Sequence, residues 1–291
     1  MHFAIRFLTE YRYDAPVTDN LNALRVRPAT TSSQRCDEFH TRIDPEARVT
    51  RHLDYFGTEV IEFGIPAAHD HLVIDVRARV VTSAPPDPPD GSWESLHSDA
   101  YIDAAGEFAL PWQDQPPIAG LDELDAALHA PGPLQTVQRL CDVIPEHFEY
   151  RPGATYVGSR IEDLLAQRAG VCQDFAHLSL VLLRRRGIAA RYVSGYLWAA
   201  PEDHGGDSLE VDTHAWLEAL LPSSEGSGEP VWVSVDPTNG RLADETHVKI
   251  GHGRFYADVP PVKGLYMGGA GSTLSAAVTL SRLDPQTSAR A

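Results

Sequence analysis

Cys172, His214 and Asp236 are the residue types that together perform nucleophilic catalysis at a carbonyl carbon. A cysteine sulfur attacks, an imidazole carries the proton, and a carboxylate sets the imidazole tautomer and stabilises its cation. Their surroundings assign each to an element. Cys172 opens a stretch, 170–187, in which Val171, Phe175, Leu178 and Leu182, with Leu183 beside them, recur at three- and four-residue steps. That spacing predicts a buried helix. Gly170 loosens its entry and Gly187 supplies its stop. Asp174 falls in the first turn and Arg184, Arg185 and Arg186 in the last, so charges complement the helix dipole at both ends. A thiolate at Cys172 is stabilised by the positive end of that dipole, and the Cys172 backbone N–H is placed to serve as an oxyanion donor.

His214 and Asp236 are placed by a hairpin. Residues 213–221 and 231–236 each suit a strand, and the polar loop 222–230 between them predicts antiparallel pairing. His214 lies near the start of the first strand and Asp236 at the end of the second, so pairing sets those ends side by side. A helix packed on that sheet then brings a nucleophile, a base and an orienting carboxylate together. Trp216 shares the His214 face by period two, and it is a candidate for the substrate cleft together with Gln173.

The remaining chain must supply the scaffold. Its 291 residues suggest about two domains. A net charge of -17 without a Lys/Arg stripe argues against nucleic acid or an anionic membrane as partner. No window approaches the roughly 18 apolar residues that span a bilayer, and the start, 2–7, alternates like a strand rather than a signal peptide. Three cysteines, Cys36, Cys141 and Cys172, are too few for a disulfide framework. A cytoplasmic location is therefore expected. Strands are expected over 3–13, around Leu24 and Val26, and over 49–55, 58–63 and 72–80, together an N-terminal antiparallel β-sandwich-like module over 1–84. The proline-rich run 85–91 ends it, opening a linker and connecting segment over 85–132. The catalytic core is expected over 133–284, with helices at 133–148 and 161–168, a strand at 190–198, and segments 255–259 and 275–282 closing its sheet. Residues 285–291 form a frayed tail.

The motifs Gly170-Val171-Cys172-Gln173-Asp174-Phe175-Ala176-His177, Ala190-Arg191-Tyr192-Val193-Ser194-Gly195-Tyr196, Thr213-His214-Ala215-Trp216 and Val235-Asp236-Pro237-Thr238 resemble, in that order, the core of the bacterial transglutaminase-like superfamily. The strand module, with Tyr11-Arg12-Tyr13, is similar to the β-rich region that precedes such cores. The resemblance implies an α+β fold with a papain-like core. It also implies thioester chemistry on an amide carbonyl, carried by Cys172, His214 and Asp236. A peptide or protein with an accessible amide is then the partner, and neither a cofactor nor a metal is called for. Hydrolysis of a peptide or amide is the reading favoured here; the alternatives are transamidation of protein glutamine, a catalytically silent peptide-binding module, and a small-molecule acyltransferase, which the motif contexts fit less well.

Other candidates are assigned to structure. His177 lies roughly 140° around the helix from Cys172, away from the reacting face. His69-Asp70-His71 and the pair His247 and His252 lack the accompanying ligands and spacing of a metal site. Cys36 and Cys141 have no neighbouring base in sequence, and the acidic run 201–207 is a solvated loop.

Overall fold

The computed structural model describes residues 1–110, 118–156, 158–199, 206–223 and 228–284. In chain order its elements begin with β1 (His2–Leu24), β2 (Gln34–Asp44), β3 (Val49–Leu53), β4 (Glu59–Ile65) and β5 (His69–Thr82). Helices α1 (Asp99–Ala105), α2 (Leu121–Ala127) and α3 (Pro133–His147) follow, then β6 (Glu149–Tyr150), α4 (Ile161–Gln167), β7 (Ala169–Gly170) and α5 (Cys172–Arg185). The chain continues through β8 (Ala190–Leu197), β9 (Ser208–Val211), β10 (Thr213–Leu221), β11 (Val231–Asp236), β12 (Arg241–Leu242), β13 (His247–Gly253), β14 (Val262–Met267) and β15 (Ser272–Arg282). No helix among the described residues is long and apolar enough to cross a membrane.

β1 organises the first layer. Its first half pairs with β5 on one side and β15 on the other; its second half, from Thr18, pairs with β4 and β14. The ladder to β5 shifts register between Arg12 and Val17, the stretch holding Pro16, which has no N–H to give to a ladder. One antiparallel sheet therefore curls upon itself around Phe3, Ile5, Phe7, Leu72 and Ile74. The expected Leu24/Val26 strand is the end of β1. β2 escaped the sequence reading because only Gln34 and Ile43 along it are buried, so it carries no clean apolar alternation.

The second layer is a five-stranded antiparallel sheet in the order β12-β11-β10-β8-β13. Alternation along β10 divides its side chains: Ala215, Leu217 and Ala219 join the core that α5 fills, while His214, Trp216 and Glu218 face the other way. On that far side Tyr196, Trp198, Val248 and Ile250 belong to the core of the curled sheet, so the two layers share a packed interface. Two expectations are corrected. β15 does not close the core sheet; it pairs with β1 from Phe3↔Arg282 to Tyr13↔Ser272. Residues 255–259 form no strand, because Tyr256–Asp258 is a 3-10 turn. The segment 85–132 contains α1 and α2, and the tail 285–291, residues 201–205 of the acidic run and 224–227 of the polar loop lie outside the described residues.

α5 is buried on nearly every side from Asp174 to Arg184. At its end Gly187 adopts φ +77°, Ile188 N–H reaches Leu183 O at 3.0 Å and Gly187 N–H reaches Arg184 O at 3.0 Å, the glycine-terminated cap expected from the sequence. Arg185 and Arg186 pair with Asp122 and Asp125 and fasten α2 across the end of the helix. Leu182 is fully buried in this core. Leu182→Ala is expected to destabilise the fold by about 2–5 kcal/mol, read as a lowered midpoint at unchanged slope in a urea titration.

Candidate active site

The position of Cys172 is built by local bonds at the start of α5. The parallel pair of β6 and β7 brings Gly170 beside Tyr150, and Val171 follows as the last extended residue. The Asp174 carboxylate then turns back: its Oδ2 accepts the Val171 N–H at 2.9 Å and the Thr155 hydroxyl at 2.5 Å. Gly170 is required by this cap, since a Cβ there would lie 2.7 Å from Leu164 Cδ1 and 2.9 Å from Asp174 Oδ2. Cys172 emerges half-buried at the first residue of the helix.

His214 sits opposite Gly195 of β8. Its Nε2 lies 2.8 Å from Asp236 Oδ2, and Cys172 is near enough to act on its charge, so Nδ1 is the nitrogen left to face the sulfur. Trp216 stacks against it, with ring centres 5.8 Å apart and planes at 27°. The hairpin expected from the sequence is present, with Leu217↔Val235 in register. Asp236 thus faces Trp216 across the ladder and reaches His214 diagonally, one of the close side-chain relations of an antiparallel pair.

Asp236 is fully buried and accepts five hydrogen bonds. Oδ1 takes the backbone N–H groups of Thr238 and Asn239 at 3.1 and 3.2 Å. Oδ2 takes the Asn239 amide at 2.6 Å, His214 at 2.8 Å and His247 at 3.0 Å. Burial alone would push this carboxyl up; the bonds from His214, His247 and Asn239 and the His214 charge outweigh it and hold it well below the usual carboxylate range. For His214, burial works toward the neutral ring, but the bonds and charges of Asp236 and Cys172 prevail and raise it to about 9. The imidazolium is therefore the favoured form at neutral pH.

His247, set aside in the sequence, is the residue that reasoning missed. It is buried at the start of β13, and its Nδ1 accepts the Asp244 backbone N–H at 3.2 Å. That tautomer presents Nε2–H to Asp236. No local signal announces it, because β13 pairs with β8 and not with the hairpin carrying the other two residues. Among the described residues, His214, Asp236 and His247 offer three metal-capable atoms within 4.8 Å of one another. Their mutual hydrogen bonds account for that closeness.

The other candidates separate. Gln173 lines an open cavity beside α5. Trp216 is 1% exposed, stacked against His214 and 5.4 Å from the His247 ring, so its indole packs in the interior beside both histidines. His177 is bonded elsewhere, its Nε2 accepting the Tyr256 N–H at 3.2 Å. Burial pushes the Cys141 thiol up to about 12 and the Cys36 thiol upward. His69 bonds Asn20 and Ala67 O, and His252 lies against Arg191. One row further along β10, Glu218 is held between Lys249 at 2.7 Å and Arg191 at 2.6 Å.

Comparison with known proteins places the fold: the chain belongs to the transglutaminase-like superfamily, whose sequence profile matches residues 123–237. The profile of the bacterial transglutaminase-like N-terminal region matches residues 3–81. An uncharacterized protein of Mycobacterium leprae is 34% identical over 279 residues, covering 94% of this chain and 96% of that one. A protein-glutamine gamma-glutamyltransferase of Pseudomonas aeruginosa is 32% identical over 155 residues, 50% of this chain and 22% of its own length. A crystal structure of a candidate cysteine protease from Cytophaga hutchinsonii superposes with a TM-score of 0.70 at 23% identity, covering 98% of this chain and 92% of that one, which shows a shared fold.

His247→Ala removes one donor from Asp236 Oδ2 and leaves a space in the packing around Trp216. Alkylation of Cys172 by iodoacetamide is expected to slow, with its pH dependence displaced, while His247→Gln, which keeps an N–H donor, restores most of the wild-type rate. Equal effects of the two substitutions would reduce His247 to packing alone.

Proposed function

We propose that the protein is a cysteine-dependent hydrolase of a peptide or protein amide, working through a thioester on Cys172. The observation that carries this reading is His214 bonded to the buried Asp236 at 2.8 Å, with Cys172 at the start of α5 near enough to act on its charge. In it the sulfur attacks the carbonyl carbon as thiolate, and the C–N bond breaks as His214 passes its proton to the departing amine. Water, deprotonated by His214, then attacks the thioester and releases the acid and the free thiol. Asp236 stays ionised throughout and holds the ring so that Nδ1 faces the sulfur. The Cys172 backbone N–H, at the positive end of α5, stabilises the tetrahedral oxyanion.

Water is the acceptor adopted because it needs no binding site of its own, and Cys172 is open to solvent at the helix start. The glutamyltransferase from Pseudomonas aeruginosa supports the other acceptor, an amine. Mass spectrometry of glutamine peptides incubated with and without a primary amine separates the two: hydrolysis adds no amine mass, whereas transamidation does.

Cys172→Ala is expected to lower turnover by at least about 10³-fold while leaving the thermal midpoint within a few degrees. Retained turnover would falsify the assignment. Activity is expected to fall as pH rises through about 9, where His214 loses the proton that the leaving amine requires. The same proton links to stability. The folded-state value lies above the unbound 6.5, so the His214 contribution is complete below about 6.5 and fades up to about 9. A stopped assay over pH 6–10, paired with thermal melts, reads both; a basic limb beginning near 7 would contradict the bonded pair.

A further inference from the structure

Gln173 and His177 stand four residues apart on α5, so they share one helix face, roughly 100–140° around from Cys172. That face floors a cavity of about 650 Å³, within the range of small-molecule and side-chain pockets. Ile161 of α4, Tyr256 and Val262 of β14 wall it with apolar surface. The nucleophile is close: the Tyr192 ring lies 5.2 Å from His177 and 6.1 Å from Tyr256, and near enough to Cys172 to feel its charge. Tyr192 thus neighbours both the His177 and Tyr256 side of the cavity and Cys172.

The charge at this cavity is the reverse of the chain's. The protein carries 41 acidic against 24 basic residues, yet Arg160 and Lys263 line the opening and, among the described residues, no carboxylate does. Arg160 shares its charge with Glu162 at 2.9 Å. Lys263 pairs with no carboxylate among the described residues. The chain has two lysines, Lys249 and Lys263; the first is committed to Glu218, and the second stands at this opening. Lys263 is held there by β14, which pairs Lys263 with Ala23 of β1. The curled sheet therefore builds part of the wall.

We propose that this cavity is the subsite for a side chain of the acyl donor near the reacting amide, and that it selects a large apolar residue adjacent to a carboxylate. The apolar walls take the ring or branched chain, and Lys263, with Arg160 behind it, meets the acid at the solvent edge. The proposal rests on the Cys172 thioester reading, from which its test is kept separable.

Binding is measured with the inactive Cys172→Ala protein and turnover with the wild type, using three fluorescein-labelled glutamine peptides that differ only in a flanking pair: Phe-Glu, Phe-Lys or Ala-Glu. The Phe-Glu peptide is expected to bind roughly five-fold more tightly than either other, the size of one exposed ion pair or of a modest apolar contact, and the acid preference should shrink with added salt. Lys263→Glu is expected to invert the Glu-over-Lys preference. Ala257→Trp, placed at an exposed position on the cavity wall, is expected to weaken both Phe peptides. Equal binding of all three, no binding of any, or an unchanged ranking with Lys263→Glu overturns the subsite. If the ranking holds but the wild type converts none of them, the subsite stands and the thioester reading fails; if all three turn over at one kcat/KM and bind alike, the reverse holds.

Discussion

The carboxylate of Asp236 is the constraint on which the rest of the site depends. A buried charge survives only where donors replace the water it has lost, and here five donors converge on two oxygens. Two come from the backbone just beyond the end of β11, one from Asn239, and two from histidines on different strands. Each donor is fixed by its own element, so the charge aligns β10, β11 and β13 with respect to one another. His214 is oriented as a consequence. The imidazole is thus held by its bond to that carboxylate and by stacking on Trp216.

The same dependence gives the curled sheet a part in the site. β13, which delivers His247, is fastened on its far side by the N-terminal layer. Ala29 N–H and the Gln34 amide both donate to Lys249 O at 2.9 and 2.7 Å, and Gln34 Oε1 accepts the Lys249 N–H at 2.8 Å. The Thr82 hydroxyl donates to Glu245 O at 2.6 Å. These bonds flank His247 in sequence, and the apolar contacts of Val248 and Ile250 with the core of the curled sheet complete the seat. A module whose sequence suggested a separate strand-rich unit is in this way packed against the back of the sheet that carries His214.

Glu218 repeats the principle one row along β10. Its carboxylate lies between Lys249 and Arg191, and Lys249 also forms the backbone bonds to Gln34. Burial works against this charge, but both cations prevail and keep it ionised. The face of β10 that turns toward the N-terminal layer is consequently polar from His214 to Glu218, with Trp216 filling the space between, whereas the opposite face is apolar and belongs to α5.

What the sequence determined by itself was local. The buried helix beginning at Cys172, its glycine stop, and the strands Thr213–Leu221 and Val231–Asp236 were legible because side-chain period and turn residues act within a few positions. Those elements suffice to bring Cys172, His214 and Asp236 toward one another, since a hairpin dictates its own neighbours. The pairing of β15 with β1, the descent of Trp216 beneath His214, the second histidine on Asp236 and the basic opening beside Gln173 were decided by tertiary structure. Each joins residues far apart in the chain through register, burial or charge, and no periodicity within either segment encodes which distant partner will satisfy it.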